Sequence, residues 1–209
     1  MVQELKAGTK KFLVGLTGTF GSGKSTIAGF FEKYGAGVID SDRLAHEVLL
    51  KNSSVFESIR KNFPEVPLNA QGDFDRKGLA KIVFTDKAKR KTLESLIHPY
   101  VFSRIREEVS RSSAKIVMIE MPLLFETGYE NKCHKVIAVS TDPEVLEGRL
   151  SKKGFNRQDI AGRNAAQWSA EEKMKKADFI IHNSKDIKTT CSQVEEVWNQ
   201  LCVLSKGAN

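Results

Sequence analysis

The chain has no apolar run long enough to cross a bilayer, so its sequence offers no membrane-spanning helix and no membrane partner is expected. Its first stretch, Met1 to Lys11, is polar and lacks the apolar core of a secretion signal. It reads as a short frayed leader before the first strand. Cysteine is scarce: Cys133, Cys191 and Cys202 are odd in number and include no Cys-x-x-Cys pair. That excludes a disulfide framework and a cysteine zinc site, and fits thiols in a reducing cytosol, the expected compartment. Histidine is as thin. His46, His98, His134 and His182 are scattered and form no His-Glu-x-x-His pair, so no metal cage built by the protein alone is expected. Internal repeats, low-complexity tracts and linker-like composition are all missing.

What is present is the composition of a globular domain, with 209 residues, 40% hydrophobic and 28% charged. That length suits one core plus an insertion or lid and is too short for two large domains. The formal net charge of +7 points to a polyanionic partner, nucleic acid or a phosphorylated metabolite, without choosing between them.

Short apolar runs alternate with helical patterns. Strands are expected at Phe12 to Thr17, at Val38-Ile39 ending on Asp40, at Lys115 to Met121, at Lys135 to Val139 and at Phe179 to Ile181. Continuous apolar strands separated by helices imply a parallel sheet covered on both faces, an α/β fold. The first helix runs from Gly23 to Tyr34 and is stopped by Gly35. Residues 43–113 contain no convincing strand and read as helices over 42–50, 54–63, 76–84, 86–97 and 99–112, with Pro99 at a first helical position. A crossover needs only a dozen or so residues, so this is either a substrate-binding insertion or a structural elaboration. Residues 144–177 are rich in Arg and Lys and read as a lid or a solvated helical hairpin, broken by Gly154 and Asn156. Thr141 and Ser169 look like N-caps there, and Ser169 with Glu172 fits a capping box.

Gly18-Thr19-Phe20-Gly21-Ser22-Gly23-Lys24-Ser25 matches GxxxxGK[ST] in full, after a strand and before a helix. The glycines let successive N–H groups turn toward phosphate oxygens, and the helix N-terminus adds partial positive charge. Lys24 is placed for the β- and γ-phosphates of ATP, Ser25 for the Mg²⁺ shell and Thr26 for the α-phosphate side. The motif serves kinases, GTPases and motor ATPases alike. No Asn-Lys-x-Asp guanine signature is present, and the third strand ends Ile119-Glu120-Met121 without an Asp-Glu pair. Asp40 and Asp42 follow the second strand, and ligands of parallel sheets bind at the carboxyl ends of strands. At least one of the two is expected to orient an attacking hydroxyl and take its proton; the other can serve as a turn or N-cap.

Taken together, the chain resembles the dephospho-coenzyme A kinases along nearly its whole length. The resemblance rests on Val14-Gly15-Leu16-Thr17-Gly18 with the phosphate loop, Val38-Ile39-Asp40-Ser41-Asp42, Asp75-Arg76-Lys77-Gly78-Leu79, Leu96-Ile97-His98-Pro99 and Pro122-Leu123-Leu124-Phe125-Glu126. Further on it includes Arg149-Leu150, Arg163-Asn164-Ala165-Ala166-Gln167 and Ala177-Asp178-Phe179-Ile180-Ile181 before Asn183. It implies ATP-dependent phosphorylation of the ribose 3′-hydroxyl of dephospho-CoA. The implied architecture is a five-stranded parallel sheet sandwiched by helices, of the phosphate-loop kinase type. Its core would be residues 11–42, 114–143 and 178–204, with a helical acceptor domain at 43–113 and a lid at 144–177. By resemblance Asp42 is the base with Asp40 beside it, Arg149 contacts phosphate, and Arg76, His98 and Pro99 lie in the acceptor region. Asn183 would fall near the adenine. Glu126 is either an acceptor-site or a structural residue, and His98 either touches the acceptor or ends a helix. Arg157 and Arg163 are lesser candidates in the lid, where Phe155 and Trp168 are read as packing residues. The family pattern has Gly at the place of Thr19 and Asp at that of Glu120. Rival readings are a phosphate-loop kinase with another acceptor, and a nucleotide switch or nucleic-acid ATPase, which would need an effector surface or a basic stripe; basic residues are instead spread along the chain.

Overall fold

A computed structural model of the chain describes residues 11–155, 160 and 167–207. The order of elements is β1 (Phe12–Gly18), α1 (Lys24–Lys33), β2 (Gly37–Asp40), α2 (Ser41–Glu47), α3 (Phe56–Asn62), α4 (Arg76–Thr85) and α5 (Lys87–Arg111). There follow β3 (Ile116–Glu120), β4 (Lys135–Ser140), α6 (Pro143–Lys152), α7 (Ala170–Lys176), β5 (Phe179–His182) and α8 (Ile187–Lys206). The strands form one five-stranded parallel sheet in the order β2-β3-β1-β4-β5. β1 is central, in register with β3 through Leu13↔Val117 and with β4 through Leu16↔Ile137. All seven residues of β1 are buried, as expected of a central parallel strand covered on both faces.

The chain divides into two compact units, one formed by the chain through Ile39 with the chain from Val109 onward, the other by Asp40–Glu108. In the first, Val14, Leu16, Met118, Ile137 and Val139 face a core completed by Ile27 and Phe31 of α1 and Val194, Val197 and Leu201 of α8. On the opposite face Gly15 is a close-approach point. A Cβ there would lie 2.7 Å from Leu124 Cδ2, so Leu124 seats directly on the strand.

The second unit is helical and, among the described residues, holds no named strand, only an isolated bridge between Leu68 and Phe74. Its core includes Leu44, Ile59, Phe63, Leu79 and Ile105, with the Phe56 and Phe74 rings 4.6 Å apart. Two helices expected on either side of Pro99 are instead one, α5, which carries the proline inside it. Proline at a helix interior removes one N–H donor, here the one that would reach the Ser95 carbonyl. The other backbone bonds of a 25-residue helix outlast that single loss. No helix among the described residues is long and apolar enough to cross a membrane.

Ile137 is fully buried between β1 and β5 partners, in a layer closed on both sides. Ile137→Ala should therefore destabilise the protein by about 2–5 kcal/mol, read as a lowered urea midpoint with an unchanged slope.

Candidate active site

The phosphate loop starts where β1 ends and finishes in the first turn of α1. Gly23 stands at the N-cap position with φ 93°, a left-handed backbone that suits glycine. An added Cβ there would come within 2.2 Å of Asn183 Nδ2. Gly21, with φ 82°, is approached by α6: a Cβ would meet Leu150 Cδ2 at 2.7 Å. Thr19 costs nothing in backbone strain, because no non-glycine among the described residues has positive φ. Lys24 is nearly buried, and its ammonium donates to the Gly18 carbonyl at 3.1 Å and the Thr19 carbonyl at 3.0 Å.

Glu120, which stands where the family pattern has Asp, is central here. The Ser25 hydroxyl donates to Glu120 Oε1 at 2.7 Å, so the carboxylate at the end of β3 reaches the loop despite its extra methylene. Glu120 is 7% exposed. Its position at a strand's carboxyl end is the signal that marks it.

Behind the loop two side chains converge on one backbone oxygen. Thr141 Oγ1 donates to the Ser22 carbonyl at 3.0 Å, and Asn183 Nδ2 donates to the same oxygen at 2.9 Å. Thr141 is thus no N-cap. Asp142 occupies that position before Pro143, and the Thr141 hydroxyl is drawn back to the loop carbonyl, where it is the second donor beside Asn183. The Asn183 amide packs on the loop itself, against Gly23.

Arg149 lies on α6 beside Leu150, which touches Gly21. Phe155 meets Phe20 edge-on with centroids 5.0 Å apart, and Trp168 stacks on Phe125 at 5.7 Å. Both rings are packing elements, as expected. Ser169 and Glu172 form the capping box of α7. Arg157, Arg163 and the Asn164 to Ala166 run lie outside the described residues. Glu126 Oε1 accepts from the Trp168 N–H at 2.6 Å and pairs with Lys173 Nζ at 3.1 Å. Lys173 is buried and also donates to the Pro122 carbonyl, which accepts from Thr17 Oγ1 at 3.2 Å. Burial pushes the Lys173 ammonium below the usual lysine range, and the Glu126 carboxylate opposes that shift.

In the helical unit, Asp40 is the N-cap of α2, its Oδ1 accepting from the backbone N–H of Asp42 at 2.8 Å and of Arg43 at 3.2 Å. Asp42 stands exposed in the first turn of the same helix. A cavity of about 380 Å³ in this unit is lined by Arg43, His46, Asn69, Asp73, Phe74 and Arg76, among others. Arg43 chelates Glu108 through two bonds of 2.7 Å and also bonds Glu47 at 2.6 Å. Burial and the nearby Arg76 charge hold the His46 pKa below the usual histidine value, with Asp42 and Asp40 acting against them. The structure brings Arg76 together with Arg43 and His46, while His98 and Pro99 are not lining residues of that cavity. His98 stacks on Phe102 at 5.8 Å, and burial lowers its pKa, opposed by Glu94.

Comparison with known proteins agrees with this geometry. The family model described as dephospho-CoA kinase matches residues 12–189. The dephospho-CoA kinase of Symbiobacterium thermophilum is 37% identical over 194 residues, covering 91% of this chain and 81% of that protein. That of Aquifex aeolicus is 37% identical over 190 residues, 90% of this chain and 96% of the relative. A crystal structure from Thermus thermophilus superposes with TM-score 0.80 at 34% identity, covering 91% of this chain and 98% of that one. The dephospho-CoA kinase structure from Campylobacter jejuni gives TM-score 0.67 at 30% identity, covering 94% and 98% of the respective chains. A shikimate kinase structure from Bacteroides thetaiotaomicron, at 18% identity and TM-score 0.51, shares the fold. With the loop, the strand-end carboxylates and the match spanning most of its length, the chain belongs to the dephospho-CoA kinase family.

Proposed function

We propose that this protein transfers the γ-phosphoryl group of ATP to the ribose 3′-hydroxyl of dephospho-CoA, giving coenzyme A and ADP, the final step of coenzyme A synthesis. One observation carries the reading: a complete phosphate loop whose Ser25 hydroxyl lies 2.7 Å from the Glu120 carboxylate, in a chain of this family. A cytosolic location accords with its free thiols.

The N–H groups of the loop, from Gly18 to Thr26, hold the triphosphate, with Lys24 supplying a positive charge to the β- and γ-phosphates. Asn183 supports the nucleotide from behind the loop, through the Ser22 carbonyl. Ser25 and Glu120 are the hard oxygen donors that suit Mg²⁺, directly or through water, and the ion when bound neutralises charge on the β- and γ-oxygens. The acceptor belongs to the Asp40–Glu108 unit, where Arg76 and Arg43 offer cationic groups to its phosphates and His46 an imidazole; His98 and Pro99 stay with the same unit. Asp42 accepts the proton of the 3′-hydroxyl as its oxygen attacks the γ-phosphorus and the bond to the bridging oxygen breaks. Asp40 sets the Asp42 turn through its cap bonds. Arg149 offsets charge on the moving phosphoryl group. Glu126 anchors the lid root through Trp168 and Lys173, the structural of its two roles.

In a coupled ADP-release assay, the specificity constant for dephospho-CoA should exceed those for adenosine and AMP by about 10² or more, because remote binding energy positions the reacting hydroxyl; AMP equal to dephospho-CoA would assign another acceptor. Asp42→Asn should lower single-turnover transfer about 10²- to 10⁴-fold with ATP affinity kept. Asp40→Ala should cost about 1 kcal/mol of helix-cap stability in thermal melts. Near-normal transfer by Asp42→Asn would move the base elsewhere. Glu120→Gln should raise the Mg²⁺ concentration needed for half-maximal rate; an unchanged Mg²⁺ titration would remove Glu120 from the metal's surroundings.

A further inference from the structure

Thr141 and Asn183 both donate to the Ser22 carbonyl, at 3.0 and 2.9 Å, and the reaction as described so far gives the Thr141 bond no part and does not say what the pair does to the loop. Neither bond is incidental. Thr141 is 7% exposed and directly follows β4. Asn183 directly follows β5, and its own N–H is tied to the Ser140 carbonyl at 2.7 Å. The orientation of its amide is set from α8, where Thr190 Oγ1 donates to Asn183 Oδ1 at 3.2 Å, leaving the NH₂ to face the loop. The amide then lies so close to Gly23 that a Cβ there would overlap it.

The consequence lies on the other side of one peptide plane. The Ser22–Gly23 bond is trans, as no cis peptide occurs among the described residues. In a trans peptide the C=O and the following N–H point in opposite directions. A carbonyl pulled toward the strand ends therefore turns the Gly23 N–H away from them, into the concave side of the loop where phosphate binds. We propose that Thr141 and Asn183 are positioning residues that clamp the Ser22 carbonyl and so aim the Gly23 N–H at the triphosphate of ATP. The proposal rests on the nucleotide half of the function above and is independent of which acceptor is used.

The test uses the full-length protein and ATP with Mg²⁺, by titration calorimetry, with steady-state kinetics and apo melting temperatures alongside. Thr141→Val keeps shape and removes the donor; it should weaken ATP binding about fivefold, the equivalent of one hydrogen bond. KM for ATP should rise with KM for the acceptor unchanged. Thr141→Ser restores the hydroxyl and should return ATP affinity to near the starting value. Asn183→Asp sets an acceptor against the carbonyl and should weaken ATP binding more than Thr141→Val does. A merely structural role would lower melting temperature without this split or rescue. ATP affinity unchanged in Thr141→Val, or Thr141→Ser as weak as Thr141→Val, overturns the proposal. If dephospho-CoA is not phosphorylated while the ATP effects appear as described, the acceptor assignment fails and the clamp stands.

Discussion

A phosphate-binding loop spends most of its backbone N–H groups on the ligand, so few of them are left to the fold. Apart from Ser22 N–H, which donates to the Thr19 carbonyl at 3.2 Å, much of what holds Gly18–Ser25 in place acts through its carbonyls, its glycine Cα atoms or its side chains. That is what the structure displays. Gly18 and Thr19 carbonyls take the Lys24 ammonium, the Ser22 carbonyl takes Thr141 and Asn183, and the Ser25 hydroxyl takes Glu120. Gly21 and Gly23 are bare surfaces on which Leu150 and Asn183 rest. Apart from Lys24, the donors and acceptors come from the carboxyl ends of β3, β4 and β5, which a parallel sheet gathers along one edge.

The helical unit solves a different problem, holding cationic groups beside its cavity without leaving them to repel one another. Arg43 and Arg104 share the carboxylates of Glu47 and Glu108, with Arg104 also on Glu107 at 2.8 Å. These pairs are partly exposed, so each adds little stability. Their use is orientation: the Arg43 guanidinium is held at both terminal nitrogens, Nη1 by Glu47 and Nη2 by Glu108, which keeps its plane fixed. His46, on the same helix as Arg43, has its pKa lowered by burial and by Arg76, which disfavours one further positive charge in the cavity.

Much of this was legible before any coordinates. Continuous apolar runs such as Phe12 to Thr17 and Lys135 to Val139 could only be doubly covered strands, and all five strands lie within a residue or two of where the pattern puts them. The phosphate loop was equally plain, because its glycine spacing has a local physical cause. The misreadings have causes too. Pro99 looked like a helix start because local preference places proline there, yet tertiary burial of Leu93, Val101 and Ile105 carries one helix through it. Thr141 looked like a cap because a hydroxyl before Asp-Pro commonly is one; only the fold reveals a buried carbonyl 119 positions away that wants the same proton. Which of Asp40 and Asp42 caps the helix was open in the sequence, since either spacing works, and the start of α2 at Ser41 gives the cap to Asp40. Arg157 and Arg163 lie beyond the described residues, so of the three arginines in residues 144–177 Arg149 is the one whose place is described.

The Pro122 to Glu126 run repeats the loop's logic one layer out. The Pro122 carbonyl accepts both Thr17 Oγ1 and the Lys173 ammonium, and Leu124 fills the space over Gly15. Glu126 then pairs with Lys173 and takes the Trp168 backbone N–H, while its Oε2 is buried with no hydrogen-bond partner among the described residues. Burying an ammonium and a carboxylate costs more than their attraction returns unless hydrogen bonds complete the set. An apolar pair of equal volume would hold α7 to the sheet as well or better. The ionic version instead ties three separate pieces, β1, the Pro122 to Glu126 run and the start of α7, to one shared geometry. A buried charge on either side tolerates no slippage, because moving α7 away strands the Glu126 carboxylate. The start of α7 is thereby registered to the strand that carries the phosphate loop, through Thr17, one residue before Gly18.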